Sequence, residues 1–276
     1  MIKQAIIPLA GLGTRLLPLT SVFAKELLPI NGKPGIEYIL DECIDAGIKE
    51  VIFIISKKKI MIKEYFYNDK FYKKIIKQKK DLRIINEYKK ILKYRKMIKF
   101  VFQDKPLGTG DAVLKTKKFI KNKFFLMLLP DDLIIKKNCS KSMISIHEKF
   151  NSSVMASMKV KMSDVSRWGI YNIKNKINNK NFTIKNVVEK PSLKLAPSNN
   201  AVIGRYILPK TIFGKLKNLK PSKGGEIHIT DAIQSLIDDN NSFIGHNFSG
   251  KYLDCGTMKG YINSTLEIAK IWSYVW

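Results

Sequence analysis

The chain has 276 residues, 45% of them hydrophobic and 26% charged, which buries a sizeable core and excludes a disordered chain. Its longest apolar run, Phe124 to Leu129, is far short of the roughly 18 to 20 residues that span a bilayer, so no membrane segment is expected. Fifty basic against twenty-three acidic residues give a net charge of +27, an imbalance that attracts phosphates and other anions.

Lys3 to Leu9 is an apolar run that breaks at Ala10-Gly11, and it is expected to be a buried first strand. After Pro34, residues Ile36, Ile39, Leu40, Cys43 and Ile44 recur at helical spacing, and Gly47 stops the helix. Glu50 to Ile55 is a second buried strand. From Lys57 to Lys99 there are seventeen Lys or Arg against four Asp or Glu, read as basic helix with Tyr and Phe on one side. No nucleic-acid-binding motif lies in this stretch, so its lysines are expected on solvated helix faces and nucleic acid is not an expected partner. Ile98 to Phe102 is a third strand, with a short helix from Asp111, and Phe124 to Leu129 a fourth. This alternation predicts an α/β fold: a mixed, mostly parallel sheet flanked by helices, in one domain.

In the second half, strands are expected at Ser153 to Val160 and Ala201 to Leu208, with a hairpin over residues 168 to 190. Thr230 to Ile237 and Thr257 to Lys270 read as helices. The three cysteines (Cys43, Cys139, Cys255) form no CxxC pair, which excludes a disulfide scaffold and a zinc ribbon. The opening residues lack a signal-peptide pattern, so a cytoplasmic location is expected. The three histidines show no ligand spacing and are taken as structural.

Ala10-Gly11-Leu12-Gly13-Thr14-Arg15 follows the first strand directly. Glycines there let backbone N–H groups approach a phosphate or a flat base. Arg15 and Lys25 flank this loop and are suited to clamp a polyphosphate. Asp131 closes an apolar strand, at the end of an α/β sheet that faces ligands, where a carboxylate suits Mg²⁺. Asp231 is the candidate second ligand. Helix capping is the plain alternative for both acids, with Asp132 the better cap of the adjacent pair. Glu189 and Lys190 end a strand, where alternation points them to opposite faces. The acid suits sugar hydroxyls and the base a phosphate.

AGLGTR (10–15), AKELLP (24–29), LPDD (129–132), VEKP (188–191), APSNNAVIGRYIL (196–208), GGEIHITDAI (224–233) and GKYLDCG (250–256) together resemble the bacterial UTP–glucose-1-phosphate uridylyltransferases. Order and spacing match from about residue 3 to residue 270. The resemblance implies a Rossmann-like, GT-A-like nucleotidyltransferase domain over residues 1–276. Its nucleotide-binding half covers about 1–135 and its sugar-binding half about 136–276. It implies Mg²⁺-dependent, in-line transfer of a uridylyl group from UTP to glucose 1-phosphate, without a covalent enzyme intermediate. Uracil is then held by Ala10, Gly11, Gln103 and Gly108, with Gly13 and Thr14 completing the nucleotide loop. Arg15 and Lys25 hold the triphosphate, and Asp131 and Asp231 the metal. Gly169 and Glu189 face glucose, and Lys190 its phosphate. A homo-oligomer, dimer or tetramer, is the expected assembly.

Four positions depart from that family's usual pattern. Thr109 and Asp111 stand in a segment that usually reads GLGHA, and Glu37 and His228 replace glutamines. The LGTG segment resembles N-acetylglucosamine-1-phosphate uridylyltransferases. A thymidylyltransferase is the nearest rival reading, and a nucleic-acid-binding protein on a retired enzyme fold the rival of another class.

Overall fold

A computed structural model describes residues 1–222 and 224–271; the last five residues of the expected sugar-binding half lie outside them. In chain order the elements are β1 (Gln4–Pro8), β2 (Pro29–Ile30), β3 (Lys33–Pro34), α1 (Gly35–Asp45) and β4 (Glu50–Ile55). The basic stretch forms α2 (Ile60–Tyr67), α3 (Asp69–Lys79) and α4 (Leu82–Arg95). Then come β5 (Ile98–Phe102), α5 (Gly108–Leu114), β6 (Phe124–Leu128), β7 (Asp132–Ile135), α6 (Cys139–Phe150) and β8 (Ser153–Lys159). The chain continues through β9 (Gly169–Lys176), β10 (Asn181–Glu189), β11 (Asn200–Pro209), α7 (Ile212–Asn218) and α8 (Ile229–Asp238). It closes with β12 (Phe243–Asn247), β13 (Lys251–Asp254) and α9 (Met258–Ala269).

Among the described residues, nine strands form one sheet in the order β5-β4-β1-β6-β11-β8-β12-β10-β9. The first four run parallel, as do β8 and β12; β11 enters antiparallel between β6 and β8. Parallel pairing is therefore concentrated in the first half, and the β9–β10 hairpin supplies an antiparallel edge. The β6–β11 ladder joins the two expected halves within one sheet.

Alternation along the strands serves two cores. Ile7, Leu9, Phe53, Ile55, Leu126 and Leu128 face the helices α1, α2, α4, α6 and α9. Ile6, Ile52, Ile54, Phe125 and Met127 face α5, α7 and α8. Strands apolar on both faces read as continuous hydrophobic runs, which is why β1, β4 and β6 stand out in the sequence.

One alternative and one expectation fail locally. No helix follows Asp131-Asp132: strand β7 begins at Asp132, so neither acid is a helix cap. The helix expected from Asp111 starts at Gly108, because the 108–110 segment docks on Ile227, with Gly110 N–H donating to the Ile227 carbonyl at 2.7 Å. A Cβ on Gly108 would stand 2.6 Å from that same oxygen, and its φ is +89°. Glycine is thus required there by both space and backbone.

Candidate active site

The glycine loop leaves β1 and turns at Gly13, whose φ of +71° suits glycine. Thr20 Oγ1 donates to the Gly13 carbonyl at 2.8 Å and fixes the turn. No heavy atom lies within 4 Å of where a Cβ on Gly11 would stand, so this side of the loop is open to a ligand. Ala10 is buried behind it, and Thr14 opens the short turn Thr14–Leu16 that carries Arg15.

Lys25 Nζ lies 2.7 Å from Asp131 Oδ2, and Arg15 Nη2 lies 3.4 Å from the same oxygen. The lysine is largely buried, whereas the arginine side chain is 66% exposed and has room to swing onto an anion. Burial opposes the charged form of Lys25, but Asp131 and Glu26 outweigh it and raise its pKa above the usual value. Burial likewise pushes the Asp131 carboxyl up, and Lys25 and Arg15 outweigh it to hold the group below the usual range. Behind Lys25, the buried Glu26 accepts from Lys59 Nζ with both oxygens at 2.8 Å. Burial lowers the Lys59 pKa in spite of this partner. Lys59, Glu26, Lys25 and Asp131 thus form a row of alternating charges running from the turn before α2 into the cleft.

The turn that presents Asp131 is held by a residue the sequence reading did not single out. Arg205 is fully buried in β11. Its guanidinium donates to the carbonyls of Leu129 (3.1 Å), Gly204 (3.0 Å) and Asp132 (2.6 Å), and to both oxygens of Glu42 on α1. A register shift between Val202 and Tyr206 in the β11–β8 ladder marks the bulge that carries it. Gly204 is indispensable beside it, since a Cβ would meet Leu129 Cβ at 2.5 Å and Asp132 Oδ2 at 2.6 Å. A lone arginine in the apolar run AVIGRYIL is the signal that marks it in the sequence.

Asp132 accepts from Gly204 N–H (2.8 Å) and Tyr252 Oη (2.7 Å). Burial and the neighbouring Asp131 raise its pKa. Through the β7–β13 ladder Asp132 faces Asp254, and Cys255 N–H donates to the Asp131 carbonyl at 2.7 Å. The next residue, Gly256, has no side chain. A Cβ there would stand 2.8 Å from Asp131 Oδ2, 2.9 Å from Arg15 Nη2 and 3.2 Å from Asp254 Oδ1. Two carboxylates and a guanidinium thus converge on one small cradle.

Asp231 does not join them. It is exposed in the first turn of α8, which packs with α5 and α7 on the other face of the sheet. No contact among the described residues links it to Asp131. Of the two acids, it is Asp254 that the β7–β13 ladder brings beside Asp131, whereas the expected partner Asp231 sits on α8.

At the other end of the cleft, Gly169 and Glu189 are register partners, and a Cβ on Gly169 would stand 3.1 Å from Glu189 Oε2. Lys190 lies just past the strand with φ +43°, and its Nζ is 3.9 Å from Glu189 Oε1. The left-handed residue breaks the alternation that would send the pair to opposite faces, so acid and base stand together. Gln103 follows β5 and donates from Nε2 to the Gly108 carbonyl (3.2 Å) and to Asp111 Oδ2 (2.7 Å). The three cysteines are free and buried, and burial pushes the Cys255 thiol up to about 12. No helix among the described residues is long and apolar enough to cross a membrane.

A family model described as nucleotidyl transferase matches residues 4–271. UTP–glucose-1-phosphate uridylyltransferase 1 of Streptococcus pyogenes serotype M1 is 36% identical over 276 residues, covering 97% of this chain and 89% of that protein. A UTP-bound UGPase from Acinetobacter baumannii superposes with a TM-score of 0.91 at 32% identity, over 100% of this chain and 96% of the other. A UDP-glucose pyrophosphorylase complexed with UDP-glucose gives 0.85 at 35% identity, over 99% and 100%.

Proposed function

The chain belongs to the nucleotidyl transferase family, and on that premise we propose that its cleft joins UTP to glucose 1-phosphate, giving UDP-glucose and pyrophosphate. A sugar-phosphate oxygen attacks the α-phosphorus of UTP. The bond from that phosphorus to the α,β-bridging oxygen breaks, and pyrophosphate leaves with the bond electrons. The observation that carries this reading is the convergence of Arg15, Lys25, Asp131 and Asp254 at the carboxyl ends of β6 and β13.

Each residue has a defined task. The open glycine loop (Ala10, Gly11, Gly13, Thr14) offers backbone N–H groups to the nucleotide, with Gln103 and Gly108 beside the base. Lys25 is fixed and already charged, so it meets the triphosphate without reorganisation. Arg15 is mobile enough to fork onto a phosphate. Glu189 accepts from sugar hydroxyls across Gly169, whose missing side chain leaves room for the ring. Lys190 takes the sugar phosphate, which positions the attacking oxygen.

Asp131 and Asp254 suit a divalent cation, and the hard carboxylate pair around a side-chain-free glycine favours Mg²⁺. When bound there the metal neutralises charge on two anions that must meet. Arg205 holds the carbonyls on either side of Asp131 and so sets that carboxylate's position.

The test is pyrophosphate release with each nucleoside triphosphate crossed against several sugar 1-phosphates. UTP with glucose 1-phosphate should be the best pair. Asp131→Asn and Asp254→Asn should each cut turnover by about a hundredfold or more, the double variant scarcely exceeding the worse single one, because the pair acts as a unit. Asp231→Asn should stay within about threefold of the parent. A crippled Asp231→Asn beside an active Asp254→Asn would restore the pairing with Asp231.

A further inference from the structure

Asp111 lies in the first turn of α5 and is 9% exposed. Its Oδ1 is 3.7 Å from Lys115 Nζ one turn on, and its Oδ2 is turned inward onto Gln103. Gln103 itself is 4% exposed, and its backbone N–H donates to the Ile55 carbonyl at 2.9 Å, which ties it to the carboxyl end of β4. Its Nε2 therefore sits between two oxygens, Asp111 Oδ2 at 2.7 Å and the Gly108 carbonyl at 3.2 Å.

A carboxylate and a carbonyl can only accept. Reversing the Gln103 amide would press its oxygen against both, so the amide has one allowed orientation. Its other end, Oε1, accepts no hydrogen bond among the described residues and is not sealed from solvent. Gln103 thus presents an acceptor, with its donors already spent. Thr109, two residues before Asp111, steadies the same turn: its hydroxyl accepts from Ile229 N–H at 3.3 Å.

We propose that Asp111 is the positioning residue that sets nucleobase choice, by holding Gln103 so that Oε1 faces the pyrimidine. This rests on the reading above that Gln103 lies beside the base of UTP. An outward acceptor matches the ring N3–H of uracil. Cytosine carries a lone pair at N3, so two acceptors would confront each other and leave both unpaired. The selectivity is decided one residue back from the base, by a carboxylate that never touches it.

The decisive experiment is equilibrium binding of UTP and of CTP, each alone, to the parent protein and to Asp111→Asn and Asp111→Glu. An asparagine can donate, which removes the closer of the two opposing oxygens and leaves only the Gly108 carbonyl, at 3.2 Å, against a reversed Gln103 amide that offers Nε2 to the base. The preference for UTP over CTP should fall about tenfold or more in Asp111→Asn and persist within about threefold in Asp111→Glu. A general loss of structure would weaken both nucleotides alike and leave their ratio unchanged. If Asp111→Asn does not fold, Asp111→Ala frees the amide of its charged acceptor and should also narrow the ratio. A ratio within twofold of the parent in a folded Asn or Ala variant overturns the proposal. Turnover with glucose 1-phosphate is measured separately. Its absence in the parent protein would reject the proposed reaction, while the binding ratio still judges Asp111.

Discussion

A cation placed in the left-handed region at the end of a strand has few neighbours to hold it, and Lys190 is such a residue: its side chain is 64% exposed beside Glu189. Its task is then set by the ligand it meets. A charge-assisted hydrogen bond to a phosphate contributes roughly 1.5 to 3 kcal/mol. Lys190→Ala should therefore raise the KM for glucose 1-phosphate by ten- to a hundredfold and move that for UTP far less. Steady-state kinetics with each substrate varied in turn check this, and a larger shift for UTP would reject the assignment. Lys25 shows the contrary design. It is fixed by Asp131 on one side and by the Glu26–Lys59 pair on the other, so its charge is set before any ligand arrives.

At the scale of elements, the site depends on how β11, α1 and β7 are clasped. Replacing Arg205 with Met leaves Glu42 buried without its cation and strips the Leu129 and Asp132 carbonyls of their donor. Breaking a buried pair in this way costs about 3 to 5 kcal/mol, so urea unfolding should show a loss of that order. Arg205→Lys keeps the charge without the fork; it should retain more stability yet still lose turnover, because the Asp131 turn is no longer gripped at both carbonyls. A stability near the parent's in Arg205→Met would contradict the clasp. Further along the sheet, His246 bridges α6 and β10, with Nδ1 2.7 Å from Asn181 Oδ1 and Nε2 3.1 Å from Ser142 Oγ. Burial, with Lys180 adding to it, lowers its pKa from 6.5 to about 4. The unfolded chain therefore binds the proton first, and the stability from His246 is present above pH 6.5 and lost as pH falls towards 4. Melting temperatures across that window should drop more steeply for the parent than for His246→Gln; parallel slopes would exclude this role.

On the scale of the whole molecule, the net charge of +27 is carried unevenly, and the stretch from Lys57 to Lys99 is less uniform than its composition suggests. Lys59 points inward to Glu26, and Lys90 Nζ reaches the buried Glu37 at 2.5 Å, which seats α4 on α1. Glu37, one of the departures from the family pattern, is thereby answered by a lysine. Arg95 and Arg83 pair with Asp69 and Asp81. By contrast, Lys73, Lys74, Lys79 and Lys80 stand on or just after α3, which buries none of its residues. Exposed charges act weakly beyond a Debye length of about 8 Å at physiological salt. Replacing these four with Gln should leave saturated turnover within about twofold at that salt. A loss above tenfold without unfolding would place α3 in the working site.

The sequence by itself determined the strands that are apolar on both faces, since β1, β4 and β6 needed only their unbroken runs. It also determined the glycine loop and the cations beside it, because strand, glycine turn and Arg15 are local along the chain. Short strands such as β7 and β13 carry no such run, and both arose from pairing with each other. That pairing decided which acid joins Asp131. Asp231 and Asp254 are both aspartates, 100 and 123 residues beyond Asp131, and spacing along a chain says nothing about approach in space. Backbone ladders set the approach: Asp254 faces Asp132 across β7–β13, while α8 carries Asp231 to the opposite face. The inward turn of Lys59, the grip of Arg205 on two carbonyls and the hold of Asp111 on Gln103 were decided in the same way. Each joins groups from different elements, and a buried charge settles only where the folded chain supplies its partners.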